Sequence, residues 1–551
     1  MPTKILLLGL DGATFDLILL WAQAGLLPTL SRFMQEGTWG PLHSTTPPLS
    51  PVAWPSFATG TNPGQHGIFN FLARRLGTYD WYPVSSSDRI GLPFWVWAGQ
   101  HGFQTGVFNM PMTYPPEPIP NGYMISGMGV PDIDVHFAEP AQLQDDLLKH
   151  FTSDQLVEKS VTRFNEESYG EYLLQTVDNN LAVLRYLLHR YPNTNLLCGV
   201  FIASDRAQHF YWRQMEDPSA PPRQRTMIRE VYVRLDQALG ALIAEYPDYT
   251  VLVMSDHGAG PYYRLIDLNQ WLASHGWLQW QASNGEGLQS TSDWRHWYRQ
   301  LGLLLPYRLR WQIKNILPTA WMQRLRAEVR RTSLSVHWAT TQAYSLGVSG
   351  AIYLNLMGRE PLGCVRPGHE AEVLLAEINQ ALYALSDPDT GEPVVERVAR
   401  GPELYRGPAI HLAPDLVISW KPGYYALSHW SPNGTIFRGH LRWENSEMVH
   451  SAEHRPEGIL LALGPGIRKG AQVTGASIID LAPTVLHLMG LPIPSYMDGK
   501  VLTELLDARQ IGWDPVYVDE QGKSKQSKPS SYSESEEREM INRLHDLGYL
   551  G

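Results

Sequence analysis

Cysteine is nearly absent from this chain of 551 residues, which contains only Cys198 and Cys364. Two cysteines cannot form the disulfide framework of a small secreted domain, and such scarcity is typical of a protein in a reducing compartment. Basic residues are also too few for a general nucleic-acid binder, because 44 Lys and Arg are set against 55 Asp and Glu, a net charge of −11. We therefore expect no nucleic-acid partner.

Long apolar runs are missing as well. The N-terminal run at 5–10 is interrupted by Asp11 and Gly12, and no small-residue cleavage site of the kind that ends a signal peptide follows it. No stretch reaches the roughly 20 apolar residues that a membrane-spanning helix needs. These absences favour a cytoplasmic enzyme of bacterial type, with the run at 5–10 inside the first strand of a sheet.

Short apolar runs, separated by helical patterns, make up most of the chain instead. Runs rich in Val, Ile and Leu are typical of parallel strands buried on both faces, and their alternation with helices predicts a doubly wound sheet. We therefore predict an α/β fold with a mostly parallel sheet, helices on both faces, and cap and helical insertions. The predicted strands lie at 4–10, 104–109, 195–204, 249–255, 412–420 and 457–463, and the clearest helices at 171–192 and 226–245.

Two insertions and a tail interrupt the predicted core, which comprises 1–110, 166–265 and 338–517. The segment 111–165 is rich in Pro, Gly, Met and Tyr and is expected to be a cap or loop over the strand edge. The segment 266–337 is expected to be a basic helical insertion, with nine Lys or Arg against one Glu between 295 and 331. It either makes weak contact with a membrane surface or packs on the core with a solvated basic face. For 518–551 we expect a flexible linker and a C-terminal helix that docks on the body.

Three of the predicted strands end at or just before an aspartate, and histidines accompany two of these aspartates at ligand spacing. Each aspartate alone is typical of a helix N-cap or a turn. Because ligands bind beyond the carboxyl ends of strands in open α/β sheets, we expect the three aspartates to lie close together. Six ligands are too many for one tetrahedral ion and about right for two, so a two-metal hydrolytic site is predicted. The six are Asp11, Asp205, His209, Asp256, His257 and, before the last run, His454.

A segment near the N-terminus carries a resemblance to a known family. It consists of residues 46–60, TPPLSPVAWPSFATG, followed by 62–67, NPGQHG. The chain resembles the alkaline phosphatase superfamily, specifically the type I phosphodiesterase/nucleotide pyrophosphatase branch and its bacterial relatives predicted to be phosphohydrolases or phosphomutases. In that branch a Thr or Ser nucleophile lies ten residues before the Gly of a Thr-Gly pair. Counting back from Gly60 gives Ser50, with Ser56 as a rival nucleophile or a helix N-cap.

The resemblance implies a two-metal site with a covalent intermediate. A serine hydroxyl is a weak nucleophile at neutral pH, and binding to a metal ion is the simplest way to activate it. A phosphoseryl intermediate followed by hydrolysis is the implied course, with Zn2+ favoured and Mn2+ as the alternative. The implied ligands are Asp11, Ser50, Asp256 and His257 for one ion, and Asp205, His209 and His454 for the other.

Two further residues of this segment have weaker assignments. Asn70 is a candidate for binding a phosphoryl oxygen, although Phe71 occupies the position where the related enzymes have their Asn. His66 is typical of the family and is expected to be structural.

The expected reaction is cleavage of phosphodiester or pyrophosphate bonds in a small phosphorylated substrate, such as a nucleotide or a lipid-linked diester. A phosphomonoester carries a second negative charge and usually meets an Arg, which the Ser50 segment lacks; Arg206 or Arg359 could reach the site from other loops. The same site would serve a phosphomonoesterase or a phosphomutase.

Two other reactions or roles are less favoured. A sulfatase segment has a Pro and an Arg where this chain has Val52 and Trp54, so sulfate ester hydrolysis is not expected. A non-catalytic, membrane-peripheral binding protein is the remote alternative, and it predicts loss of ligands that are all present here.

Overall fold

The computed structural model describes residues 4–281, 336–432, 434–442, 448–512, 514–519 and 532–550. The basic segment 295–331 and residues 520–531 of the predicted linker lie outside these residues. Membrane contact through the insertion therefore stays a prediction. Among the described residues, no single helix is long and apolar enough to cross a membrane. One bent pair, Phe15–Gln23 and Pro28–Glu36, meets at 100° and passes that test by length and composition only.

A ten-stranded sheet forms the centre of the molecule. Its middle strand, Lys4–Leu10, pairs in parallel with Leu196–Phe201 on one side and with Tyr249–Met254 on the other. The predicted α/β fold with a mostly parallel, doubly wound sheet is confirmed. The spatial order is Ala471–Gln472, Thr38–His43, Glu457–Leu463, Tyr249–Met254, Lys4–Leu10, Leu196–Phe201, Thr105–Met110, Gly122–Ser126 and Ala138–Glu139, with Ala476–Ser477 beside Thr38–His43.

Both faces of this sheet are covered, since its three middle strands are buried at nearly every position. Successive side chains of a strand point to opposite faces, so Leu6 and Leu8 join one core cluster, whereas Ile5 and Leu7 join another. The long helices Glu166–Arg190 and Pro222–Glu245 supply the first cluster. The second cluster includes the helices Ser50–Thr59, Phe94–Gln100 and Leu481–Leu488.

Three expectations about the sheet need correction. The predicted strand at 412–420 exists as Leu416–Trp420, but it belongs to a separate antiparallel sheet over a third core cluster. The run at 457–463 lies in the central sheet, but it is antiparallel to both of its neighbours. The expected cap at 111–165 contributes Gly122–Ser126 and Ala138–Glu139 to the central sheet. The apolar pattern of a strand indicates that it is buried. Which strand it pairs with, and in which direction, depends on the path of the chain between the two strands.

Smaller sheets surround the central one. Near the site, Gly258–Asp267 pairs with Gly423–Leu427, Phe437–Arg438 and Ala452–Arg455. The separate antiparallel sheet comprises Ala343–Ser345, Ala351–Leu354, Leu416–Trp420 and Val395–Arg400. The remaining pairs are Leu72–Arg74 with Trp81–Pro83, Leu441–Arg442 with Val449–His450, and Ile493–Pro494 with Tyr517–Val518.

The other described helices are mostly short and connect or cap the strands. The α-helices are Pro63–His66, Ala141–His150, Ser153–Leu156, Ala203–Glu216, Leu268–Ser274, His369–Tyr383, Gly401–Leu404, Ala508–Ile511 and Glu534–Asp546. The 3-10 turns are Ser86–Asp88, Val161–Arg163, Ile410–Leu412, Ile478–Asp480 and Thr503–Leu505.

The C-terminal helix Glu534–Asp546 docks beside the strand edge. Arg543 donates to the backbone oxygens of Val130 and Pro131 at 2.7 and 2.6 Å, and Asp546 accepts from the hydroxyl of Ser160 at 2.5 Å. The helix is thereby attached to the 111–165 segment at two places, residues 130–131 and residue 160. It also fixes where the last residues of the chain can lie.

Candidate active site

The carboxyl ends of three adjacent parallel strands meet at one point of the central sheet. Lys4–Leu10 is followed directly by Asp11, and Tyr249–Met254 is followed after Ser255 by Asp256 and His257. Leu196–Phe201 leads into the helix Ala203–Glu216, which carries Asp205 and His209 in its first two turns. All these side chains are buried. The expectation that strand-end aspartates converge agrees with this geometry.

Ser50 begins the helix Ser50–Thr59, and every residue of this helix is buried. Its Oγ lies 3.1 Å from Nε2 of His257. One turn further, Nε1 of Trp54 donates to Oδ2 of Asp11 at 3.3 Å, which fixes the helix against the end of the first strand. The N-terminal end of a helix favours negative charge, so an ionised Ser50 oxygen would be stabilised there.

The first group of candidate ligands, here the nucleophile cluster, consists of Asp11, Ser50, Asp256 and His257. Nε2 of His257 lies 3.2 Å from Oδ2 of Asp256 and 3.8 Å from Oδ1 of Asp11. In the described part of the chain, these two carboxylate oxygens have no hydrogen-bond partner. Two ligand atoms bound tetrahedrally at about 2.0–2.1 Å lie about 3.3 Å apart, so the spacing suits a shared ion.

The second group, here the Arg206 cluster, consists of Asp205, Arg206, His209 and His454. Nε2 of His209 lies 3.1 Å from both Oδ1 of Asp205 and Nε2 of His454, and the latter two atoms are 3.7 Å apart. Arg206 Nη1 donates to the other oxygen of Asp205, Oδ2, at 2.8 Å. Three ligand atoms therefore face one another, while the guanidinium lies on the outer side of the carboxylate.

The three histidines are oriented by the backbone. In each ring Nδ1 donates to a backbone carbonyl: His209 to Ala452 at 2.7 Å, His257 to Gly258 at 2.9 Å, and His454 to Pro48 at 2.9 Å. This arrangement fixes the tautomer of a neutral ring, so each Nε2 presents a lone pair. Lone pairs of His209 and His454 then face each other and Asp205 Oδ1. A proton on Nε2 of His209 or a bound metal ion makes such a contact favourable, so these residues fit a metal ion once the ring of His209 is neutral.

The pKa values of the three carboxyls differ because their surroundings differ. Burial, together with the charges of Asp256 and Asp205, raises the pKa of Asp11 well above its usual value. Burial and the charge of Asp205 raise the pKa of Asp256 to about 7. Burial also opposes ionisation of Asp205, but His209 and Arg206 outweigh it and hold its pKa well below the usual range. Divalent cations would relieve the repulsion among the carboxylates.

Arg206 and Tyr549 complete the wall of the site. Nε of Arg206 donates to Oε1 of Glu158 at 2.7 Å, and its Nη1 donates to the Tyr549 hydroxyl at 3.3 Å. That hydroxyl also lies 3.3 Å from Nε2 of His209. Sequence reasoning mentioned Arg206 only as an alternative and missed Tyr549, since a tyrosine after the last helix carries no local signal of its destination.

Ser56 and His66 bond to each other instead of to the ligand clusters. Nδ1 of His66 accepts from the backbone N–H of Ile68 at 3.3 Å, so Nε2 donates to Oγ of Ser56 at 2.8 Å. Burial lowers the pKa of His66 to about 3, which keeps the ring neutral. Both side chains therefore have structural hydrogen bonds, consistent with the expectation for His66.

Asn70 is buried, and its amide is engaged by the backbone. Its Oδ1 accepts from the N–H of Phe71 at 2.7 Å, and its Nδ2 donates to the carbonyl of Leu346 at 3.4 Å. The next side chain, Phe71, stacks on the ring of Tyr549 with centroids 4.2 Å apart. Asn70 thus lies one residue from the wall of the site, and its contact with a phosphoryl oxygen stays a prediction.

Ser50 lies at a helix N-terminus, among buried Asp and His side chains at the carboxyl edge of a doubly wound sheet. This arrangement is typical of a metal-dependent hydrolase. The chain belongs to the type I phosphodiesterase/nucleotide pyrophosphatase family, whose model matches residues 5–451. Membership confirms the predicted family, the class of enzymes that hydrolyse phosphoester bonds, and the dependence on metal.

Two solved structures are similar to this chain. Phosphonoacetate hydrolase from Sinorhizobium meliloti 1021, in complex with phosphonoacetate, has a TM-score of 0.54 and 13% sequence identity, covering 89% of this chain and 96% of that one. Human ectonucleotide pyrophosphatase/phosphodiesterase 5 has a TM-score of 0.46 and 14% identity, covering 92% of this chain and 100% of that one. The first likeness shows the alkaline phosphatase-like fold.

The curated relatives match only a short part of the chain. Arylsulfatase K of Homo sapiens is 34% identical over 76 residues, and arylsulfatase K of Xenopus laevis is 35% identical over 79 residues. Each match covers 14% of this chain and 14% of the relative. The chain therefore spans a small part of these proteins.

Proposed function

We propose that this chain hydrolyses phosphodiester or pyrophosphate bonds of a small phosphorylated substrate, with Ser50 as the nucleophile. The observation that carries the proposal is the position of Ser50 Oγ, at a helix N-terminus and 3.1 Å from His257 Nε2. Two divalent ions, Zn2+ or alternatively Mn2+, would be held by the nucleophile cluster and by Asp205, His209 and His454. When bound, they would lower the pKa of the serine hydroxyl and neutralise charge on the phosphoryl oxygens.

The proposed reaction has two displacements at phosphorus. Ser50 Oγ attacks while the bond to the leaving oxygen breaks, which gives a phosphoseryl enzyme and releases the leaving group. Water then attacks the same phosphorus, the bond to Oγ breaks, and one water molecule is consumed per bond cleaved. The helix N-terminus stabilises negative charge on Oγ in both steps, and the backbone carbonyls hold the three imidazoles in place.

The pairing of the two candidate arginines, Arg206 and Arg359, favours a diester over a monoester. Arg206 is bound to Asp205 and Glu158, so its charge is already compensated within the protein. Arg359 is engaged by Asp415 and Glu360. A phosphomonoester carries one more negative charge than a diester and would gain little from either guanidinium. A monoesterase or a phosphomutase with the same serine stays the alternative.

A small apolar cavity beside the site bears on the group attached to the phosphorus. It is lined by Phe71, Met112, Tyr114, Met128 and Leu544, among others, and contains few polar atoms. Phe71 joins this cavity to the site through its stacking on Tyr549. With about 20 Å³ of space the cavity holds little more than water, so a nucleotide base or a lipid chain would contact its aromatic rim rather than fill it.

Sulfate esters are a less favoured substrate in spite of the local likeness to arylsulfatase K. Oxidative maturation of a sulfatase nucleophile requires a Pro and an Arg close behind it, and Val52 and Trp54 stand at those positions. A cytoplasmic location is likewise proposed, with support from the two cysteines, Cys198 and Cys364, both of which are unpaired.

Replacement of the nucleophile tests the proposed function. Ser50→Ala should lower the hydrolysis of bis-p-nitrophenyl phosphate by at least about a thousandfold, while metal content measured by mass spectrometry stays at half or more of the wild-type value. Ser56→Ala, the same change in the same helix, is the matched control and should keep activity within about threefold. p-Nitrophenyl phosphate and p-nitrophenyl sulfate are assayed in parallel. Full activity of Ser50→Ala, or a preference for sulfate, would contradict the proposal.

A further inference from the structure

The last residues of the chain return to the candidate active site. Gly548, which has a positive φ of 85°, ends the C-terminal helix and turns the chain toward the ligands. The carbonyl of Gly548 accepts from the hydroxyl of Tyr425 at 3.3 Å. The ring of Tyr549 lies 5.9 Å, between centroids, from the rings of both His209 and His454. A residue 340 positions from His209 in sequence thus becomes part of its surroundings.

The ring of Tyr549 is held tightly and leaves only its hydroxyl for polar contacts. Its exposed fraction is 1%, and Phe71 stacks on it at an interplanar angle of 19°. Arg206 is a donor only, so the phenol oxygen accepts the hydrogen bond from Nη1 at 3.3 Å. The phenol proton is then available for one acceptor on the side of the ligands.

The acceptor facing that proton is an atom that a metal ion would occupy. Nε2 of His209 lies 3.3 Å from the Tyr549 oxygen, and in the neutral ring that metal binding requires it holds a lone pair, because Nδ1 donates to the carbonyl of Ala452. The same lone pair cannot bind an ion and accept a hydrogen bond. Once His209 binds its ion, the phenol proton must turn to another acceptor, and an oxygen of a phosphoryl group bound to the same ion would be a new acceptor beside it.

We infer that Tyr549 is a substrate-binding residue, whose hydroxyl donates a hydrogen bond to a phosphoryl oxygen while Arg206 holds it in orientation. This inference rests on the proposed two-metal phosphoryl-transfer site. It assigns to the C-terminal helix the task of delivering one polar group to the site. Its anchors on Val130 and Pro131 position that group, in the same way that the strand ends position the ligands.

Loss of one hydroxyl tests the inference with little change of shape. Tyr549→Phe keeps the ring that stacks on Phe71, and Tyr249→Phe is the matched control, because its buried hydroxyl donates to the carbonyl of Thr194 at 2.7 Å at the amino end of the central strands. Binding of inorganic phosphate to each Zn2+-loaded protein is measured by calorimetry, with Zn2+ content and melting temperature alongside. We expect Tyr549→Phe to raise the Kd for phosphate and the KM for bis-p-nitrophenyl phosphate about tenfold at unchanged Zn2+ content. Tyr249→Phe should leave both within twofold.

A second variant keeps the question answerable if Tyr549→Phe does not fold. Tyr425→Phe removes the hydrogen bond to Gly548 and changes no residue of the site. It loosens the backbone that carries Tyr549, so it should raise the Kd for phosphate two- to threefold. Unchanged phosphate binding in the folded variants would overturn the inference, even with normal hydrolysis by the wild type. Conversely, a wild type that binds phosphate through Tyr549 but cleaves no ester would refute the proposed function and leave the inference standing.

Discussion

The nucleophile cluster and the Arg206 cluster have the same kinds of ligand but opposite charge balance. Asp11 and Asp256 have the imidazole of His257 beside them but no Arg or Lys within hydrogen-bonding distance in the described part of the chain, and the pKa of each is raised. Asp205 lies against Arg206 and His209, and its pKa is lowered. The comparison teaches that identical carboxyl groups at one sheet edge are prepared differently for an ion. Asp205 ionises readily without an ion, whereas ionisation of the other two is unfavourable until an ion offsets their charge.

The two clusters also differ in how they are assembled. Every member of the nucleophile cluster follows a strand of the central sheet or begins the helix that packs on it. The Arg206 cluster combines the helix Ala203–Glu216, the strand Ala452–Arg455 and contacts from Glu158 and Tyr549. Its geometry therefore depends on elements far apart along the chain, and substitutions at distant positions should affect it more.

The largest expected effects come from neutralising one carboxylate in each cluster. Asp256→Asn and Asp205→Asn should each remove about one metal ion per chain and lower hydrolysis at least about a hundredfold. Their effects on the metal-free fold should have opposite signs at pH 8. Asp205→Asn leaves Arg206 partly unpaired and should cost about 3 kcal/mol, whereas Asp256→Asn removes an unfavourable charge and should raise the melting temperature.

Mass spectrometry of the bound metal and thermal unfolding measure these two outcomes. The matched control is Asp236→Asn, because Asp236 is also buried but accepts hydrogen bonds from the backbone of Thr29 and Leu30. This variant should keep its metal content. Equal destabilisation of the metal-free protein by Asp205→Asn and Asp256→Asn would remove the distinction between the clusters.

The dependence of these stabilities on pH sharpens the comparison. Because the pKa of Asp256 is raised to about 7 in the folded chain, its ionisation destabilises the metal-free fold as pH rises from about 4 to 7. The stability gained by Asp256→Asn over the wild type should therefore grow across that range and level off above it. Asp205 has a lowered pKa, so its stabilising contribution is present above its usual pKa and is lost as pH falls.

Chemical denaturation of metal-free protein at intervals of one pH unit, from 5 to 9, measures the profile of Asp256, and the contribution of Asp205 should stay constant over that range. The difference between each variant and the wild type isolates the substituted carboxyl from the histidines that titrate in the same range. A gain for Asp256→Asn that shrinks with rising pH would contradict the assignment of charge to the nucleophile cluster.

The smallest expected effect concerns the charge of Arg206. Glu158→Gln should leave Arg206 with a surplus of positive charge and raise the kcat/KM for p-nitrophenyl phosphate, relative to that for bis-p-nitrophenyl phosphate, about threefold. Glu117→Gln is the matched control, because Glu117 pairs with the equally buried Arg89. An unchanged ratio in Glu158→Gln would show that compensation of Arg206 does not set the preference between diesters and monoesters.

Much of the site could be predicted from the sequence, because Asp11 and Asp256 lie directly after strands of the central sheet. Apolar runs ending in Asp11 and Asp256 mark buried strands, and parallel strands necessarily bring their carboxyl ends to one edge. Ser50 required the resemblance as well, since a serine between prolines has no local signature of a nucleophile. The pairing direction of Glu457–Leu463 and the separate sheet of Leu416–Trp420 were not predictable, because side-chain alternation is the same for either neighbour and either direction.

What the sequence determined by itself is the class of fold and the set of ligands, since both depend on residue types at fixed local spacing. Only the tertiary structure decided which charges meet. It paired Arg206 with Asp205 and Glu158, and it gave Asp11 and Asp256 no Arg or Lys partner in the described part of the chain. It also brought the hydroxyl of Tyr549 to Nε2 of His209. These contacts join residues up to 391 positions apart, from Glu158 to Tyr549, around one guanidinium. Local periodicity carries no information over that distance, because the packing of distant elements alone determines it.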